Sequence, residues 1–197
     1  MRVRIYLTGV GGQGTLTATT LLARTALEQG IEVVSGEIHG MAQRGGVVES
    51  TILLGGFSSP RISLGEADIL LGFEPMETLR ALPYLRKGGH VFSSGDIMQP
   101  VSVSSGVDTY PPLSEIRRQV EAVAAKAWFL PCRDCGLRAG SAQSGNTALL
   151  GAVCASGLLP FGVPALREGI KKFLPPKLVD VNLAALENGI QAMHDQI

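Results

Sequence analysis

Apolar positions along this chain follow two alternating rhythms. Residues 2–8 (RVRIYLT) form a short β-branched, apolar run that ends in glycines, the pattern of a strand. From Thr15 the spacing changes: Leu16, Thr19, Leu22, Ala23, Ala26 and Leu27 fall near i, i+3, i+4, which predicts a helix over 15–29 stopped at Gly30. Further strands are predicted at 31–37, 47–55 and 67–74, the last almost wholly apolar, as in a strand buried on both faces. Residues 38–46 between them read as a loop. Pro75 opens a helix predicted to run to the glycine pair at 88–89, and a strand follows at 90–94. Residues 99–105 (QPVSVSS) read as an edge strand, because Pro100 would block a central ladder position. A helix is predicted around Ser114–Val120, and 126–131 is the last strand. After Pro131 the stretch CRDCGLRAGSAQSGN is small and polar, and three helical segments separated by Pro and Gly complete the chain.

Strands alternating with helices predict an α/β fold: an open, mostly parallel sheet with helices on both faces and extra helices at the C-terminal end. At 197 residues, the simplest organisation is a single domain over 1–197. Lys and Arg number 17, Asp and Glu 17, and the signs are interspersed, so the basic stripe of a nucleic-acid binder is missing. No apolar run reaches the ~20 residues of a membrane span, and the N-terminus reads as a first strand, not a signal peptide. Three cysteines are too few for a disulfide framework and fit the reducing cytoplasm.

The chemistry starts at TGVGGQG, where Gly9, Gly11 and Gly14 stand as G-x-G-x-x-G between a strand and a helix. The first glycine permits the turn, the second lets a phosphate approach the backbone, and the third lets the helix pack on the strand. Free amides at the helix start favour an anion. Glu37 lies 23 residues after Gly14, near where an NAD site keeps its ribose-binding acid, so a stand-alone NAD(P)-binding protein is the alternative reading. A second glycine loop follows, EIHGMAQRGG at 37–46. Arg44 offers a forked donor set beside paired glycines, the makings of an anion clamp.

The two loops together, with NTALLGA at 146–152, resemble the gamma subunit or gamma domain of the 2-oxoacid:ferredoxin oxidoreductases, over about residues 2–190. The form GMAQRGG points to the aryl-pyruvate, indolepyruvate-using branch. The resemblance implies a Rossmann-like domain within an enzyme that oxidatively decarboxylates a 2-oxoacid to acyl-CoA, CO2 and reduced ferredoxin. It places thiamine diphosphate and iron–sulfur clusters on a large alpha-type partner subunit, with ferredoxin as electron acceptor, and associates this domain with coenzyme A. By matching motif, it makes Gly9, Gly11, Gly12, Gln13, Gly14, Gln43, Arg44, Gly45, Gly46 and Asn146 the candidate cofactor-binding residues. The stretch between the last strand and Asn146 departs from the family, which more often has a longer, alanine-rich helix there.

Other constellations point elsewhere. Cys132 and Cys135 have metal or redox spacing, but a zinc or iron–sulfur site needs about four ligands. The remaining Cys154 lies in an apolar helical run, where a buried thiol is the expectation. Glu74 and Glu77 lie at a helix start, where a cap is the default role and the crevice is near. Without a nucleophile elbow, Walker lysine or zinc-ligand helix in the sequence, the expectation is a subunit whose cofactor chemistry lives on a partner.

Overall fold

The computed structural model describes residues 1–39, 45–99 and 101–196, with backbone only at 38 and 39. Six strands form one sheet in the order β2-β3-β1-β4-β5-β6. They are β1 (Val3–Val10), β2 (Val33–His39), β3 (Val47–Leu54), β4 (Ala67–Gly72), β5 (Leu85–Ser94) and β6 (Lys126–Leu130). β4, β5 and β6 follow β1 in parallel, while β3 runs antiparallel to both of its neighbours. Five strands therefore point the same way, as the alternation of elements predicts, and the short 40–46 connection accounts for the reversed one.

The strands alternate their side chains between two apolar layers. On one face Ile5, Leu7, Ile52, Ile69, Leu71 and Phe92 meet α1 (Thr15–Glu28), α5 (Cys132–Ala139), α6 (Gly145–Ala155), α7 (Val163–Phe173) and α8 (Pro176–His194). On the other, Tyr6, Leu53, Leu70, Val91 and Phe129 meet α2 (Pro75–Ala81) and α4 (Leu113–Val123). α6 and α8 pack backbone to backbone. A Cβ on Gly189 would run into the Ala148 carbonyl, so only glycine lets the two backbones approach this far.

Two expectations are corrected. The helix starting at Pro75 ends at Ala81, a 3-10 turn covers Leu82–Tyr84, and Leu85 already begins β5. Pro83 cannot donate into a continuing helix, and Leu85 pairs with Ala67 across a bulge. The edge strand expected at 99–105 is instead a single helical turn, α3 (Val101–Ser104). The small, polar stretch after Pro131 is helical at Cys132–Ala139. No helix among the described residues is long and apolar enough to cross a membrane.

Candidate functional site

The chain leaves β1 toward β2 and β3 on one side, whereas β4 lies on the other. The topological switch point is therefore between β1 and β4, where open α/β sheets place their crevice. Here protein groups bridge it. The Phe73 amide donates to the Thr8 carbonyl at 2.8 Å, continuing the β1–β4 pairing past the strand ends. Gln13 Nε2 donates to the Phe73 carbonyl at 2.8 Å, and Gln13 Oε1 accepts from the Val10 amide at 2.8 Å. Gln13 thus lies inside the glycine turn as a brace between β1 and β4.

The second loop closes the same turn from the other side. The Gly11 amide donates to the Gly46 carbonyl at 2.8 Å, and the Gly45 amide to the Gly11 carbonyl at 3.4 Å, extending the β1–β3 ladder. The sequence reading has Gly11 open to an approaching phosphate; in the structure its amide is already committed to Gly46. The Gln13 backbone amide is likewise committed, to the Val10 carbonyl at 3.1 Å, so neither of these two amides is left to donate to an NAD(P) pyrophosphate. Gly14 has φ 80 and caps α1 without a side chain. Its carbonyl accepts from the Ala18 amide at 3.0 Å and from Asn146 Nδ2 at 3.4 Å, which ties α6 to the turn. A Cβ on Gly14 would collide with Asn146 Nδ2. Gly9 packs against Thr15, Gln13 and Phe73, beneath the turn.

Of the sequence candidates, Gly9, Gly11, Gly12, Gln13, Gly14, Gly45, Gly46 and Asn146 therefore meet at one end of β1. Gln43 and Arg44 lie outside the described residues. Glu37 is in β2, paired with Ser50, and is not at this turn.

Beside the turn opens a cavity of about 420 Å³, over the C-terminal ends of β4, β5 and β6. Gly12, Gln13 and Asn146 form one wall, Phe73, Ile97 and Met98 an apolar one, and Arg133 stands at its rim beside Cys132. Asp96 fixes the floor. Its Oδ2 accepts from the Arg133 amide at 2.7 Å and from Ser94 Oγ at 2.9 Å, so the start of α5 already has its carboxylate. The Arg133 guanidinium has no ion-pair partner among the described residues. The sequence reading missed Phe73, Asp96 and Arg133. The signal was available, since each lies within three residues of the end of β4, β5 or β6 and strand ends face the crevice.

Residues 95–99 and 101–112 cross the rim and are stapled down. Tyr110 Oη donates to Glu74 Oε1 at 2.5 Å, and Glu74 Oε2 accepts from the Glu77 amide at 3.0 Å, the cap that the sequence predicts. Arg80 joins Glu77 (2.6 Å) to Asp108 (2.5 Å) and donates to Ser102 at 3.2 Å. The Val101 amide donates to the Gly45 carbonyl at 3.2 Å. Glu74 is 0% exposed, and burial raises its carboxyl above the usual range against the opposing pull of Tyr110 and the Glu77 amide. Burial likewise raises Glu77, with Arg80 opposing.

Cys132 is the first residue of α5, where a redox thiol would belong, but burial pushes its thiol up, as it does those of Cys135 and Cys154. Among the described residues no three His, Cys, Asp or Glu side chains are grouped to hold a metal.

A mostly parallel sheet with glycine loops meeting at its C-terminal rim defines an open α/β domain with an organised crevice at that rim. The chain belongs to the pyruvate ferredoxin/flavodoxin oxidoreductase family, whose model matches residues 4–192. It is a subunit of a 2-oxoacid:ferredoxin oxidoreductase. Indolepyruvate oxidoreductase subunit IorB of Pyrococcus horikoshii is 40% identical over 195 residues, 98% of this chain and 96% of that one. The pyruvate oxidoreductase subunit PORC of Thermotoga maritima shares the fold at TM-score 0.72 and 21% identity, covering 97% of this chain and 96% of that one. The 2-oxoglutarate:ferredoxin oxidoreductase of Magnetococcus marinus, solved with 2-oxoglutarate, coenzyme A and succinyl-CoA bound, matches at TM-score 0.71 and 17% identity. There the match covers 98% of this chain but 31% of the longer one.

Proposed function

We propose that this chain is the coenzyme A-handling subunit of an enzyme that oxidatively decarboxylates indolepyruvate or a related aryl pyruvate. The 2-oxoacid, coenzyme A and two oxidised ferredoxins become the aryl-acetyl-CoA, CO2, a proton and two reduced ferredoxins. Residues 1–197 act as one gamma-type domain in the cytoplasm, beside a large alpha-type partner subunit. Thiamine diphosphate and the iron–sulfur clusters on that partner supply carbon–carbon cleavage and the electron path. The name of the Pyrococcus relative supports the aryl-pyruvate substrate.

The observation that carries the coenzyme A reading is the cavity beside the glycine turn. Its volume lies low in the ~300–1,000 Å³ range of small-molecule sites, enough for an extended pantetheine arm with the nucleotide at the rim. The Phe73, Ile97 and Met98 wall suits the arm's methylenes and methyl groups. Asn146 stands where its amides need a partner, with Gln13 bracing the wall behind, and Arg133 is placed to meet a phosphate. These residues bind and orient the thiol and exclude water from it. The bond-making chemistry takes place on the partner.

Mixing the purified chain with the large subunit tests the reading. With indolepyruvate, coenzyme A and ferredoxin, ferredoxin reduction should require both chains and coenzyme A. Full activity from either chain alone would overturn it, as would coenzyme A-independent turnover with the chain present.

A further inference from the structure

The described surface carries ten exposed large apolar side chains, and four of them, Ile97, Met98, Val101 and Val107, fall within eleven residues of the rim segment. They are 51%, 46%, 47% and 82% exposed. The other six are scattered, Leu27, Val123, Leu137 and Leu178 on four different helices and Met1 and Leu64 outside any element, as single surface apolar residues usually are.

The cluster does not arise from a loose loop. The Ser105 amide donates to the Val101 carbonyl, Gly106 to Val103, and Asp108 to Ser102, so the segment folds back on itself. Tyr110 on Glu74, Arg80 on Asp108 and Val101 on Gly45 then fasten it to the sheet end. Two of the buried groups, Glu74 and Glu77, are carboxylates, which are costly to desolvate. A built support that presents apolar side chains to water, next to a cavity, has the form of a contact surface.

The occupant follows from chain length. In the Magnetococcus marinus enzyme the region like this chain is 31% of one polypeptide, so a covalent tether joins it to the rest. In the Pyrococcus horikoshii relative the matched region makes up 96% of a chain named as a subunit, and the place of such a subunit is held by a non-covalent face. We infer that the rim segment, centred on Val101 and Val107, is the surface on which this chain docks to the large subunit of its own enzyme. The inference rests on the proposed function. Docking there puts the interface against the Ile97 and Met98 wall of the cavity, where a thiol must meet the partner's chemistry.

The test uses the whole chain and the purified large subunit, with the dissociation constant measured by biolayer interferometry. Val107→Asp and Val107→Arg should each weaken association at least tenfold, because an exposed anchor loses its apolar contact whichever charge replaces it. Both variants should melt like the native chain and keep its coenzyme A affinity. Leu27→Asp, on α1 away from the rim, should associate normally. Native affinity in either Val107 variant overturns the inference, as does an equal loss in Leu27→Asp. A native chain that fails to associate at all instead overturns the proposed function, and this inference with it.

Discussion

Tyr110 Oη lies 2.5 Å from the carboxylate of Glu74, a residue 36 positions earlier in the chain and fully buried. The bond fastens the rim segment to the start of α2, and Glu74 also caps that helix through the Glu77 amide. Tyr110→Phe removes only the donor. A hydrogen bond to a charged group contributes roughly 1.5–3 kcal/mol, so amides of 101–110 should exchange about tenfold faster or more. Hydrogen-exchange mass spectrometry reads this directly. Unchanged protection would show that Arg80 and Val101 hold the segment without Tyr110.

The burial of Glu74 and Glu77 has a definite sign in pH. Burial raises both carboxyls in the folded chain above their ordinary value of 4.5, so the folded state binds protons more tightly than the unfolded. Their contribution to stability is complete below the ordinary carboxylate range and is lost as pH rises through the raised folded values. Glu74→Gln removes one buried charge, while its amide can still accept from Glu77 N and donate to Tyr110. At pH 8 the variant should melt higher than the native chain, by about 2–4 °C for each ~1 kcal/mol recovered. The gap should close as pH falls toward 4.5. Melting curves across that range check the sign, and a gap that widens on acidification would contradict it.

Gly189 packs where α8 meets α6 at the Ala148 carbonyl. Gly189→Ala should destabilise the chain by about 1–3 kcal/mol or more through overpacking, despite the better helix propensity of alanine. Gly162→Ala, whose Cβ would meet only ordinary contact with Pro164, should lie within about 1 kcal/mol of native. Denaturant unfolding of the two variants separates packing from propensity.

Cys132, Cys135 and Cys154 are all buried, with thiols shifted up by desolvation. Iodoacetamide at pH 8 should leave all three unmodified on a timescale that fully labels the urea-unfolded chain, with intact-mass spectrometry as the readout. Rapid labelling of Cys132 alone would restore a redox role for the pair.

Much of this architecture is legible in the residues. The 67–74 run reads as a central strand because it is apolar on both sides, and the glycine turn announces itself between a strand and a helix. What escapes the sequence depends on distant partners. Val101–Ser104 has strand-like composition, yet Gly45 and Arg80 hold the segment as a helical turn at the rim. Gln13 looks like a ligand group until Phe73, 60 residues away, takes its amide. Gly11 looks open until Gly46 covers it. At Gln13 and Gly11 the local pattern gives the turn and a non-local hydrogen bond decides each residue's role; at 101–104 the non-local contacts decide the element itself.

The central claim is that the cavity bounded by Gln13, Asn146 and Arg133 receives coenzyme A. Calorimetric titration of coenzyme A into the isolated chain and into its Arg133→Ala variant tests this most directly. The account predicts saturable binding by the native chain and an affinity about tenfold lower in the variant, from the loss of a charge-assisted hydrogen bond. Native and variant chains that bind coenzyme A equally, or neither at all, would contradict it.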